Sequence, residues 1–414
     1  MKVLWFTNTP SMAENRIGQK PVGGGWIKSL ENELIKSNEV ELGIAFYSNS
    51  KFDDFNQNST KYFPIAKDNN SFKLLKLYNR INSQIEPEKD VDKFLRIIKK
   101  FNPDLIHILG SEGPFGLIQK TIDNIPIVIS IQGNLTVYKD KFFSGISKYD
   151  VKKYSSLKTR VLFKTYNHYF NRFKKIVLRE QIILKPAKHI IGRTDWDRRI
   201  TRVLSPKSTY FHNDEILRDS FYQNEWNNKL NEEIILFTTT GSNLYKGFET
   251  ILKSAKHLDD LGVKYKWYLA GITQNDQVVN YAIKSYKTNI SKNIIFLGKI
   301  IEKELINYLL KANIYIMASH IENSPNNLCE AMVLGLPCIA TDVGGTSSLL
   351  TNKVDGILIQ DGDSWVLTGS ILELINDYVT ASKYGENARK KALLRHNPKK
   401  IVNELLEIYN KIIE

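Results

Sequence analysis

The sequence of 414 residues has only two cysteines, Cys329 and Cys338. That excludes a disulfide framework and a cysteine-built metal cluster. Both thiols read as small buried packing residues, with a reactive thiol at Cys329 as the alternative. No apolar run approaches the roughly 20 residues of a membrane span. The opening M-K-V-L-W-F-T-N-T-P turns polar too early for a secretory leader and reads as a first strand, so a cytoplasmic protein is expected. Internal repeats and low-complexity tracts are missing as well. RNA-binding motifs and aromatic stacking platforms are also lacking, so only charge argues for nucleic acid and no such partner is expected.

What is present suits two globular domains. At this length substantial cores can be buried, and 42% hydrophobic with 25% charged residues is an ordinary soluble composition. Net charge is +14, and it is concentrated: between 151 and 200 stand fourteen Lys or Arg against Glu180, Asp195 and Asp197. Such a block points to an anionic surface. Across 135–185 it is interleaved with Phe142, Phe143, Tyr149, Leu157, Val161, Tyr166, Phe170, Phe173, Ile176 and Val177, several of them three or four apart. One reading lays this stripe in the headgroups of an anionic bilayer, making the protein peripheral at the inner face of the cytoplasmic membrane. The other packs the stripe on its own domain with the basic face merely solvated.

The most informative stretch runs from Ser319 to Thr341, S-H-I-E-N-S-P-N-N-L-C-E-A-M-V-L-G-L-P-C-I-A-T. Apolar, β-prone Asn313 to Ala318 precedes it, Asn327 to Leu334 has helical spacing, and Leu336 to Ala340 is apolar again after Gly335. The order is strand, loop, helix, strand. In such a unit ligands bind beyond the carboxyl ends of the strands, where a helix N-terminus offers N–H groups to an anion. Glu322 in the loop and Glu330 about one turn into the helix frame that position. Either acid alone reads as a solvated loop carboxylate or a helix-dipole partner. Together their reach suits a polyhydroxylated anion.

The E-x7-E spacing, with S-P-N-N before the helix, E-A-M after it and G-L-P opening the next strand, closely resembles the donor motif of retaining glycosyltransferases of family 4. Those enzymes have the GT-B fold, two doubly wound Rossmann-like α/β domains facing a cleft. The resemblance implies that Glu330 holds the ribose hydroxyls of a nucleotide sugar and that Glu322 sits at the transferred sugar. It also places Asn323, Ser324, Pro325, Asn326, Asn327 and Leu328 around the donor. The common family form has Gly where this chain has Asn323.

Domain boundaries are expected at 1–215 for the acceptor side, 216–395 for the donor side and 396–414 for a terminal helix crossing back. In the first part Lys2 to Thr7 is a strand, and Gly23, Gly24 and Gly25 form a loop before a helix from about Trp26 to Lys36. Such a loop resembles the one that borders donor phosphate and acceptor. Residues 50–70 read as a polar, irregular connection. Pro103 to Gly110 and Pro126 to Gly133 are strands with Gly at the cleft edge. His107 reads as a satisfied core histidine, and Glu112 in the loop beyond is the better acceptor candidate. Gln132 stands where many relatives have His, and Arg193 reaches the cleft edge as an anion ligand or as a structural partner of Asp195 or Asp197. Trp26 completes the acceptor group.

In the second part the strand Glu233 to Thr240 leads through Gly241 and Ser242 to Lys246-Gly247 and a helix. Relatives carry two cations here for the diphosphate. Lys246 matches one, while Ser242 replaces the other, so Lys246, the helix N-terminus and Arg193 are expected to share the anion. Lys299 and Ile300, at the end of the strand stretch Asn293 to Ile300, are expected beside the base. Thr341 to Thr346 forms a Gly turn near the sugar, Gly356 to Gln360 is a last strand, and helices from about Ser364 to Tyr378 and Pro398 to Ile412 close the chain.

The implied chemistry is metal-independent, with no cofactor beyond the nucleotide-sugar co-substrate. A UDP- or GDP-sugar gives its sugar to a saccharide or lipid-linked saccharide, as in capsule, O-antigen or exopolysaccharide synthesis. Lys246 assists the leaving diphosphate and Glu322 orients the sugar rather than attacking it. Two alternatives are a GT-B nucleotide-sugar epimerase and a catalytically silent envelope-assembly scaffold, the latter suggested by Ser242 and Gln132.

Overall fold

A computed structural model describes residues 1–18, 25–67, 73–86, 88–230 and 232–414. The first sheet consists of β1 (Lys2–Thr7), β2 (Glu41–Ser48), β3 (Phe55–Gln57), β4 (Thr60–Ala66), β5 (Leu105–Leu109), β6 (Ile127–Ser130), β7 (His189–Gly192) and β8 (Thr209–His212). Its spatial order is 3-4-2-1-5-6-7-8, parallel throughout except for the antiparallel β3–β4 pair. The second sheet consists of β9 (Ile234–Thr239), β10 (Tyr265–Ala270), β11 (Ile294–Gly298), β12 (Ile314–Met317), β13 (Cys338–Thr341) and β14 (Ile357–Ile359). Its order is 11-10-9-12-13-14, all parallel. Helices cover both faces of each sheet, which is why β1, β5 and β12 are continuous apolar runs with buried side chains. This is the GT-B architecture that the resemblance implied.

Each sheet reverses its winding once, between β1 and β5 in the first and between β9 and β12 in the second. At such a switch point the two following loops diverge to opposite faces and leave a crevice at the strand ends. The loops after β9 and β12 carry Lys246 and Glu322, and those after β1 and β5 carry Asn8 and Glu112.

Three parts of the chain depart from the sequence reading. Residues 50–70 hold β3 and β4, joined by Asn58 and Ser59 at φ 48° and 65°, so the Asn-rich composition marks a two-residue hairpin turn rather than an irregular connection. The stretch 135–185 is broken into four helices, Leu135–Lys141, Lys148–Tyr154, Leu157–Val161 and Tyr166–Leu184. Ser147 and Ser156 cap the second and third. Much of its apolar stripe is consumed by packing, but on the other domain: Phe142, Ile146, Val151 and Tyr166 lie in one buried cluster with Ile251, Val278 and Tyr281. Finally, the helix expected from Ser364 to Tyr378 stops at Asn376, and Asp377 caps a separate helix, Tyr378–Arg395.

The helix Pro398–Ile413 returns to the first sheet, where Ile401, Leu405, Ile408, Tyr409 and Ile412 pack with Val3, Trp5, Leu30 and Leu34. The two crossings between the sheets run side by side. His396 Nδ1 lies 2.7 Å from the Glu215 carbonyl, and Tyr222 Oη donates to the His396 carbonyl at 2.7 Å.

Tyr409 anchors a buried relay. Trp5 Nε1 donates to Tyr409 Oη (3.0 Å), which is 2.6 Å from His107 Nδ1, and His107 Nε2 is 2.6 Å from Ser130 Oγ. Burial pushes His107 down to about 3, so the imidazole is neutral and serves as the satisfied core histidine of the sequence reading. Tyr409→Phe strips partners from the Trp5 N–H and a His107 nitrogen. Urea unfolding of this variant should show a loss of about 1–3 kcal/mol, and a loss under about 0.5 kcal/mol would contradict the relay.

Candidate active site

The second sheet's switch point is built by three chain segments in van der Waals contact. Gly247 has φ 72°, and a Cβ there would fall 1.8 Å from the Ala318 carbonyl oxygen. Only glycine allows the loop after β9 to approach the loop after β12 so closely. Gly344, at φ 55°, is confined in the same way by the Glu322 carbonyl at 1.8 Å, and the Gly345 amide donates to that carbonyl at 3.0 Å. The Gly turn after β13 therefore props up the Glu322 backbone from below.

This approach brings Lys246 and Glu322 together. Lys246 Nζ lies 2.6 Å from Glu322 Oε1, which also accepts from Ser319 Oγ at 2.7 Å. Burial disfavours the Lys246 ammonium, but Glu322 and Tyr245 outweigh it and hold the amine above its ordinary range. Behind the pair His320 bridges two acids, with Nε2 2.7 Å from Glu249 and Nδ1 3.1 Å from Asp361. Lys141 lies 3.5 Å from the same Asp361 carboxylate.

Glu330 is buried on the helix Asn326–Leu334, and its partner is a residue that sequence reading missed. Arg218 holds it with two parallel bonds, Nε to Oε1 and Nη2 to Oε2, both 2.8 Å, and its Nη1 reaches Glu302 at 3.3 Å. Burial raises the Glu330 carboxyl, with Arg218 opposing the shift. Arg218 also borders the start of the helix Gly25–Lys36 in the first domain, since a Cβ on Gly25 would meet its Cδ at 3.0 Å. The crevice thus contains a second cation besides Lys246. It comes from the interdomain crossing rather than from the β9 loop. Its sequence signal was an arginine at the start of that crossing, which spacing within the second domain cannot reveal.

Asn323 spans the domains. Its Oδ1 accepts from Thr194 Oγ1 at 2.8 Å and its Nδ2 donates to the Gln132 carbonyl at 3.3 Å. A glycine here would make neither bond. Arg193, expected at the anion, is committed elsewhere: it forms an ion pair with Glu215 and donates to the carbonyls of Ile131 and Gln132 at 2.9 Å. Its amide, not its guanidinium, meets Asp197. Arg193 is therefore a buried structural cation whose charge is already balanced.

The remaining expected residues divide cleanly. Trp26, Gln132 and Arg193 line one narrow cleft with His107 and Glu215. Glu112 accepts from Asn8 Nδ2 at 2.6 Å, and burial, augmented by Glu180, pushes it up to about 7. Gly24 lies outside the described residues, and Gly25 begins the helix Gly25–Lys36. Gly241 faces open space, while Ser242 is exposed and its carbonyl accepts from Tyr166 Oη. Lys299 and Ile300 follow β11 at the sheet edge, the former exposed. Ser324 and Pro325 lead into the helix carrying Asn326, Asn327 and Leu328, and Asn327 Nδ2 ties that helix to the Thr239 carbonyl at 2.9 Å. Cys329 is buried and its thiol is pushed up to about 12, so it is a packing residue. Tyr138 and Tyr245, absent from the sequence reading, meet edge to face beside Glu322, with ring centroids 5.6 Å apart.

Residues 219–391 match the family model described as glycosyl transferases group 1. A capsular polysaccharide biosynthesis glycosyltransferase of Staphylococcus aureus is 24% identical over 169 residues, 41% of this chain and 44% of that protein. The chain spans less than half the length of the curated relatives it matches. Whole-chain similarity appears in solved structures. Sucrose-phosphate synthase from Thermosynechococcus elongatus superposes with a TM-score of 0.72 at 16% identity, covering 99% of this chain and 98% of that one. HepE from Anabaena, solved with UDP and glucose, gives 0.67 at 15% identity and covers 99% of both chains.

The His320 bridge has a pH signature. Burial alone disfavours the imidazolium, but Glu249 and Asp361 outweigh it and raise the group above 6.5. A raised folded value means that the stabilisation is complete below the unfolded value and fades as pH rises through the folded one. Melting temperatures of wild type and His320→Gln should therefore differ most at acidic pH and converge above 6.5. A difference that grows with pH would refute the bridge.

Proposed function

We propose that this protein is a retaining glycosyltransferase that moves a sugar from a UDP- or GDP-sugar to a saccharide acceptor in cell-surface polysaccharide synthesis. The observation that carries the reading is the pairing of two cations with two carboxylates, Lys246–Glu322 and Arg218–Glu330, in the crevice at the β9/β12 switch point. Each carboxylate can exchange its cation for sugar or ribose hydroxyls, and each released cation can then face a diphosphate. The matched domain and the relatives' names support the reaction class.

In this reading the bond between the anomeric carbon and the diphosphate oxygen breaks while the acceptor hydroxyl bonds to the same face. The leaving diphosphate takes the acceptor proton. Lys246 and the main-chain N–H groups at the start of the helix Asn326–Leu334 balance the charge that develops on the diphosphate. Glu322 orients the sugar hydroxyls, Glu330 the ribose. The mechanism needs no metal and no cofactor. Asp195-Trp196-Asp197 has the Asp-x-Asp pattern, but Asp197 accepts from the Arg193 amide and Tyr210, and Asp195 pairs with Arg198. Glu112 serves the acceptor as a hydrogen-bond acceptor in its ionised form.

The acceptor is lipid-linked in this reading, and the protein binds an anionic membrane surface. No helix among the described residues is long and apolar enough to cross a membrane. Leu157 and Val161, one turn apart and 77% and 61% exposed, remain uncovered with Lys158 and Arg160 between them. Co-sedimentation with anionic vesicles should fall at least several-fold in a Lys152→Ala, Lys153→Ala, Lys158→Ala variant. Unchanged binding would remove the membrane from the reading.

Thermal shift with UDP, GDP, ADP, TDP and CMP tests the donor site. A nucleotide at about 100 times its dissociation constant should add roughly 2.7 kcal/mol to wild type and much less to Glu330→Ala. If none of them stabilises the protein, the transferase reading fails. With the donor identified, activity should rise with pH through about 7 as Glu112 loses its proton. Glu112→Gln should abolish that limb, and an unaltered limb in the variant would take Glu112 out of the acceptor site.

A further inference from the structure

A separate cavity of about 620 Å³ opens beside the helices Phe248–Asp260, Gln277–Tyr286 and Ser364–Asn376. One wall is aromatic. Trp365 is 74% exposed and stacks on His257 with ring centroids 3.9 Å apart, and Tyr286 lies under Lys253, whose Nζ is 4.8 Å from the ring centroid. An indole this exposed contributes little to the core, so its apolar face is available to a ligand.

Charge in the cavity is unevenly committed. Its acids are occupied: Asp361 faces His320 and Lys141, and Asp363 accepts from the amides of Trp365 and Val366 as a helix cap. Among its lysines Lys256 pairs with Asp260 at 2.7 Å, and two are left. Neither Lys253 nor Lys287 has a carboxylate partner among the described residues. The cavity therefore presents two lysines without carboxylate partners next to a ring face, within a concave wall that a flat bilayer cannot fill. We propose that this pocket binds an acidic saccharide, with a sugar ring on Trp365 and its carboxylate, phosphate or sulfate group on Lys253 and Lys287.

The pocket also touches the interdomain seam. Tyr286 Oη donates to the Gly145 carbonyl of the first domain's helical excursion at 2.5 Å, and Asp361 leads through His320 to the loop of Glu322. A polymer held here lies close to the crevice without occupying it. That this polymer is the growing acceptor rests on the transferase reading; that the pocket binds it does not.

Titration calorimetry with a galacturonic acid tetrasaccharide, and with maltotetraose as the uncharged control, tests the pocket on the full chain. The acidic probe should bind, and the neutral one at least about tenfold more weakly, with the difference shrinking as salt is added. Trp365→Ala should weaken the acidic probe about tenfold, the scale of one lost stacking contact. Lys253→Ala with Lys287→Ala should erase the preference for charge. Melting temperatures and nucleotide shifts should stay as in wild type, since these side chains are outside the crevice. No binding of the acidic probe, equal binding of both probes, or binding indifferent to these substitutions would each overturn the proposal. Saccharide binding without any nucleotide response would leave the pocket standing and remove only the acceptor role.

Discussion

A carboxylate taken out of water must be given a cation or a set of donors, because its desolvation is otherwise prohibitive. Glu322 and Glu330 are both buried at the end of the second sheet, and much of the crevice follows from balancing them. Lys246 is brought to one by the close approach that Gly247 permits, and Arg218 to the other by the crossing from the first domain. The site is thus poised as two closed ion pairs. A ligand that carries hydroxyls on one side and negative charge on the other satisfies all four groups at once, whereas a purely anionic or purely neutral ligand leaves two of them unpaired.

The same economy governs the contact between domains. Asn323 adds to the Glu322 loop an amide that reaches Thr194 and the Gln132 carbonyl, so the loop's position depends on the first domain as well as the second. The aromatic excursion from 142 to 170 does this on a larger scale by burying first-domain residues in second-domain core. The basic residues between 151 and 200 are partly structural: Arg172 and Arg179 pair with Glu86, and Arg193 with Glu215. The charge block that looked like one anionic surface is therefore several local solutions, with Lys152, Lys153 and Lys158 left exposed around Leu157 and Val161.

Local pattern made most strands and the E-x7-E crevice legible, because a parallel strand buried on both faces is a bare apolar run, and a glycine stop closes β5, β7, β10 and β11. Lys2 to Thr7 is a strand in sequence and structure alike. Legibility ended where partners are distant in sequence. Arg218 lies 112 residues from Glu330, and Thr194 lies 129 from Asn323. No spacing rule joins such residues. The β3–β4 hairpin was hidden for a different reason: its turn uses Asn58 and Ser59 at positive φ instead of glycine, inside a stretch whose polarity resembles that of a loop. For Arg193, position at a cleft edge does not say which way a guanidinium turns, and its partner proved to be Glu215 rather than Asp195 or Asp197.

The helix Pro398–Ile413 makes the second domain an insertion within the first, tethered by two adjacent strands of chain at Glu215 and His396. A double tether behaves like the spine of a book. It resists twist between the two domains, so the loops after β9 and β12 keep their register with the first domain. It also sets an order of assembly: Trp5 and His107 lack Tyr409 until the intervening domain has been synthesised, and the half of the protein that is begun first is the half completed last.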